Sequence, residues 1–153
     1  MERHAHPQRP EGHPGVSSGP RVVAWEVTRR CPLACKHCRA GAQDCAYEGE
    51  LTTAECLRVL DSLADFGKPM IIWTGGEPMY RPDILGLVRG ATARGLRSVM
   101  APCGTLVTRE ALAALKDAGV TACSFSLDGA TAATHDAFRG VPGAFENVTR
   151  AMA

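Results

Sequence analysis

The chain has 153 residues, 45% of them apolar and 22% charged, the balance of a folded domain rather than a disordered polymer. Seventeen lysines and arginines against sixteen aspartates and glutamates leave a net charge of +1, so no basic field argues for nucleic acid or an anionic membrane surface. No apolar run approaches the ~20 residues that cross a bilayer, and the first residues lack the apolar core of an export signal; the expectation is a cytoplasmic protein. Seven cysteines are the outlier. An odd number in a chain without an export signal points away from a disulfide framework and toward metal ligands or reactive thiols.

Residues 1–20 are rich in proline, glycine, histidine and serine, with only Ala5 and Val16 aliphatic, and read as a disordered leader. His4, His6 and His13 fall within it. From Arg21 onward, short apolar runs alternate with helical patterns. Val22 to Thr28 predicts a strand, with Val23, Trp25 and Val27 on one face and Ala24, Glu26 and Thr28 on the other. Leu51 to Phe66 predicts a helix, Thr52 and Glu55 having capping-box spacing. Pro69 to Trp73 is a wholly apolar second strand, as expected where both faces are covered. Arg81 to Arg94 predicts a helix with Pro82 in its first turn and Gly95 at its end. Leu96 to Ala101 follows as a strand, Thr108 to Ala118 as a helix closed by Gly119, Val120 to Leu127 as a fourth strand, and Gly143 to Ala153 as a last helical segment.

Four βα units with apolar strands imply an α/β fold with a parallel sheet and right-handed crossovers, either an open doubly wound sheet or part of a barrel. Both place ligands at the C-terminal strand ends. After the first strand stands Cys31-Pro-Leu-Ala-Cys35-Lys-His-Cys38. Three thiolates on one loop can hold three irons of a cubane and leave the fourth open; a zinc site completed by His37 is the alternative. After the second strand, Thr74-Gly75-Gly76-Glu77-Pro78 combines glycines that permit close backbone approach with a carboxylate able to accept from an ammonium, although Gly-Gly also makes an ordinary turn. On the fourth strand, Cys123, Phe125 and Leu127 share an apolar face, whereas Ala122, Ser124 and Ser126 suit a lumen holding a polar ligand; alternatively Asp128 merely caps the next segment.

With these three motifs in this order, residues 22–153 resemble the radical S-adenosylmethionine (SAM) superfamily. Trp25-Glu-Val-Thr-Arg-Arg-Cys-Pro-Leu-Ala-Cys-Lys-His-Cys-Arg-Ala is most similar to the branch with a C-terminal SPASM extension, which includes haem-biosynthesis enzymes and peptide maturases. The resemblance implies a partial (β/α) barrel and a 4Fe–4S cluster on Cys31, Cys35 and Cys38, with SAM on the open iron. Gly75, Gly76 and Glu77 would receive the SAM amino group, and Ser126 would face its ribose. It further implies an oxidoreductase that cleaves SAM to a 5′-deoxyadenosyl radical, fed by a flavodoxin- or ferredoxin-like electron donor and acting on a small-molecule or peptide substrate. No catalytic side chain is singled out.

His37 stands where the family often has an aromatic residue, and Pro102-Cys103-Gly104 stands where it often has Thr-Asn-Gly. Cys103 is therefore expected to be a small apolar filler, like Cys45, Cys56 and Cys123. The family core carries six βα units and this chain four, so residues 21–153 are expected to be the N-terminal part of that core.

Overall fold

A computed structural model describes residues 19–153. The expected leader falls almost wholly outside the described residues. Four parallel strands, β1 (Val22–Glu26), β2 (Met70–Thr74), β3 (Ser98–Met100) and β4 (Val120–Cys123), lie in the order β1-β2-β3-β4. Between them run α1 (Thr53–Asp65), α2 (Ile84–Ala93) and α3 (Arg109–Ala118), and after β4 come α4 (Ala132–Arg139) and α5 (Ala144–Met152). Val22 pairs with Met70 and Ile71 with Ser98, while a register shift between Ser98 and Val99 sets β4 against β3.

The layering decides between the two architectures. One core joins Trp25, Ile71, Trp73 and Met100 of the sheet to Leu60 of α1, Leu87 and Val88 of α2, and Leu115 of α3. All three crossover helices thus cover one face, as in a barrel wall, and the opposite face stays open. The apolar β2 follows this split: Ile71 and Trp73 are fully buried, while Met70, Ile72 and Thr74 are half-buried. The expected cover on both faces of β2 is absent among the described residues.

Local chemistry explains most element ends. Thr52 and Glu55 form the expected capping box on α1, and Thr108 caps α3, which Gly119 closes in a left-handed conformation at φ +108°. Three boundaries differ from expectation. First, α2 begins at Ile84, leaving Arg81 and Pro82 outside it. Arg81 precedes a proline, which disfavours helical backbone, and its buried guanidinium reaches back to the carbonyls of Val27 (3.0 Å) and Leu51 (2.8 Å). Second, β4 stops at Cys123, because its partner β3 is itself only three residues long; one further bond, from Ser124 N–H to the Met100 carbonyl, extends the pairing. Third, α4 was not expected. Its capping box uses Thr131 and Thr134 instead of the usual acidic partner, and Gly140 ends it at φ +75°.

Candidate functional site

β1 runs into the cysteine loop, and the glycine turn after β2 is pressed against that run. Gly76 N–H donates to the Thr28 carbonyl and Glu77 N–H to that of Arg30, both at 2.7 Å. A Cβ on Gly75 would strike the Thr28 carbonyl oxygen, and one on Gly76 the carbonyl oxygens of Arg29 and Arg30. The two glycines therefore serve first to bring the ends of β1 and β2 together, three residues before Cys31.

On the open face of the sheet these segments line a cavity of about 320 Å³. Cys31, Cys35 and Cys38 border it, together with Gly75 and Gly76, Ser124 and Ser126, and Glu26. The face split expected for β1 and β4 is what turns Glu26 and the serines toward this space. His37 also borders it, its ring stacked on Phe138 at 4.5 Å between centroids.

Glu77 has a different place. It is fully buried and does not border the cavity: Oε1 accepts from Met79 N–H at 2.9 Å and Oε2 from Cys103 N–H at 2.6 Å. The carboxylate thus ties the end of β2 to the segment after β3. Burial raises its pKa, and the two backbone donors oppose that rise.

Cys103 does border the cavity, half-buried, with its thiol on Thr105 Oγ1 at 3.3 Å. Burial and then the Glu77 carboxylate push that thiol up to about 12, so it stays neutral. Cys45 is exposed, Cys56 is buried in the main core, and Cys123 packs against that core.

α4 supplies residues that motif spacing did not single out. Its C-terminal carbonyls clamp the cysteine loop, Phe138 accepting from Lys36 N–H (3.0 Å) and Arg139 from Ala34 N–H (3.1 Å). Gly140 permits this approach, since a Cβ there would meet the Ala34 carbonyl. Asp128 pairs with Arg139 at 2.5 Å rather than capping α4, and its N–H donates to the buried His135 Nδ1 at 3.1 Å.

Among the described residues, no three His, Cys, Asp or Glu side chains gather closely enough to hold one metal ion. In a cubane each thiolate takes a different iron. The sulfurs already meet donors suited to thiolates: Cys38 Sγ accepts from Ala42 N–H at 3.3 Å and Cys35 Sγ from Arg139 Nη1 at 3.6 Å, and the neighbouring Arg139 Nε is buried without a partner. Burial pushes the Cys31 thiol up to about 11, a proton that metal loading must displace. By donor chemistry the residues fit an iron–sulfur cluster.

Known proteins agree in fold and sequence. The model of the radical SAM superfamily matches residues 25–153. An AdoMet-dependent heme synthase of Nitratidesulfovibrio vulgaris is 54% identical over 132 residues, covering 86% of this chain and 36% of that protein. An Fe-coproporphyrin III synthase of Methanosarcina barkeri is 44% identical over 131 residues, covering 86% and 33%. Among solved structures, SuiB of Streptococcus suis bound to S-adenosylmethionine superposes with a TM-score of 0.66 at 19% identity, over 81% of this chain and 29% of that one. The chain spans about a third of the length of the curated relatives it matches. With its parallel sheet walled by helices on one face and its three cysteines at the end of β1, the chain belongs to the radical SAM superfamily.

Proposed function

We propose that this chain is the cofactor-holding part of a radical SAM enzyme of the haem-synthesis kind, with Cys31, Cys35 and Cys38 as ligands of a 4Fe–4S cluster. One observation carries the proposal: the three cysteines border the same cavity as Gly75, Gly76 and Ser126. Cys31, Cys35 and Cys38 would hold the irons, and a cluster bound there would supply the one-electron chemistry by which this superfamily cleaves SAM to methionine and a 5′-deoxyadenosyl radical for hydrogen abstraction.

The chain's own residues position and enclose. Gly75 and Gly76 present backbone to the SAM amino group, with Glu77 holding that turn from behind, and Ser126 offers its hydroxyl to the ribose. The rings of His37 and Phe138 stack on each other and brace the loop against α4, with His37 itself exposed. The 54% and 44% identity to enzymes named for haem and Fe-coproporphyrin favours an iron porphyrin over a peptide as substrate. The electron donor is a small flavodoxin- or ferredoxin-like protein in the cytoplasm. Among the described residues no helix is long and apolar enough to cross a membrane.

Anaerobic reconstitution with iron, sulfide and zinc analysis tests the ligand set. About four irons and four sulfides per chain support it, and one zinc without sulfide refutes it. For the full-length protein, dithionite-driven release of 5′-deoxyadenosine that rises on adding Fe-coproporphyrin, and not on adding a peptide, supports the substrate class. No response to the porphyrin refutes it.

A further inference from the structure

We propose that Arg139 is a positioning and charge-tuning residue for the metal centre, donating from Nη1 to the Cys35 sulfur so that it holds this ligand and makes the centre easier to reduce. The proposal rests on the cluster reading above and extends it to a group outside the ligand loop.

Arg139 is the last residue of α4, with its side chain only 12% exposed. A guanidinium so placed needs its five donors met, since it stays charged and a buried cation without partners is costly. Asp128 meets Nη2, Cys35 Sγ meets Nη1 at 3.6 Å, and Nε meets nothing among the described residues. A metal-bound sulfur is a stronger acceptor than a plain thiol, so the Nη1 contact gains strength when Cys35 serves as a ligand. The same helix brackets Cys35 from the main chain, holding Ala34 and Lys36 on either side. Side chain and backbone of α4 therefore fix one ligand together.

The electrostatic consequence follows in sign. Reduction adds a negative charge to the centre, and a buried cation donating to a ligand sulfur stabilises that charge. Asp128 partly cancels the cation. Arg39, which also borders the cavity but is exposed, is screened by water and contributes less.

The test uses the chain reconstituted anaerobically, with the midpoint potential read by dye-mediated titration monitored by electron paramagnetic resonance and iron release timed with a ferrous chelator. Arg139→Gln is expected to lower the potential and to speed iron release about 10-fold, the usual scale for losing an outer partner of a metal ligand. Asp128→Asn should raise the potential. Arg139→Lys should fall between wild type and Arg139→Gln, and Arg39→Gln should shift the potential less than Arg139→Gln. Unchanged potential and release in Arg139→Gln overturn the proposal, as does an equal shift from Arg39→Gln. Should Arg139→Gln not fold, Arg139→Lys and Asp128→Asn decide: shifts of opposite sign support the assignment, and shifts of one sign or none overturn it. A wild-type chain that takes up no cluster sinks the cysteine reading itself, a result separable from all of these.

Discussion

Glu77 gives the sharpest separation between a ligand contact and a structural tie. Glu77→Ala removes the acceptor for two amides, Met79 N–H at 2.9 Å and Cys103 N–H at 2.6 Å, at a residue with no exposed surface. Leaving a buried donor unsatisfied costs ~1–3 kcal/mol, so the two amides together sum to ~2–6 kcal/mol. Against a total of about 5–15 kcal/mol for an ordinary domain, that loss is severe. Glu77→Gln keeps the volume and one acceptor but sets an NH2 against a backbone N–H, and should lose about half as much.

Urea unfolding of the metal-free chain measures the stability, and equilibrium dialysis of SAM against the reconstituted Gln variant measures the affinity. The expected result is a lowered unfolding midpoint with SAM affinity within about threefold of wild type, since Glu77 does not border the cavity. A wild-type midpoint with SAM affinity reduced tenfold or more would refute the structural tie and place the carboxylate on the ligand. The pH dependence carries a sign. Burial raises the Glu77 pKa in the folded chain, so this group's contribution to folding is fully present below the ordinary glutamate range and declines as pH rises through the raised folded value, a dependence that Glu77→Gln should lack.

The other predictions concern the loop, the turn and the sheet edge. Cys31→Ala, Cys35→Ala or Cys38→Ala should each abolish the visible absorption of the reconstituted cluster, whereas Cys56→Ala and Cys123→Ala should retain it; a scattered cysteine as necessary as these three would break the ligand assignment. Gly76→Ala drives a Cβ into the Arg29 and Arg30 carbonyls, and should cost several kcal/mol in urea unfolding and lower iron uptake, because the run into Cys31 must shift. Wild-type iron content and stability together would show that the β1 and β2 ends need no such close approach. Among the described residues β4 pairs with β3 alone, and Val120 to Cys123 carries no charge or proline, so the isolated 153-residue chain should self-associate in light scattering and Ala122→Lys should reduce that; a stable wild-type monomer would contradict it.

How far the sequence speaks differs from one residue to the next, for physical reasons. The strands, the Thr52–Glu55 box and the Gly119 stop were legible because they depend on neighbours within a few positions. The alternation along β1 and β4 also told which face would be polar, since a period of two leaves each side chain one choice. Arg81 shows where such reasoning ends. Its extended backbone comes partly from the following proline, which is local, and partly from the Val27 and Leu51 carbonyls, which lie far off in sequence.

The same division runs through the site. Three cysteines at close spacing point to the proposed metal centre because their chemistry is rare and their loop is short. Glu77 announces a carboxylate, yet its partners in the fold are amides after β3 and within its own turn, a tie that motif spacing does not show. Arg139 had no signal at all: it closes a short helix whose cap is two threonines, and its partner Cys35 lies 104 positions earlier. A surface helix would leave such an arginine in water. Here the left-handed turn at Gly140 lets α4 dock on the loop, and docking buries the cation against a sulfur. Once that contact exists, the guanidinium and the ligand loop are held as one unit, so a change at Arg139 is felt at Cys35 across most of the chain's length.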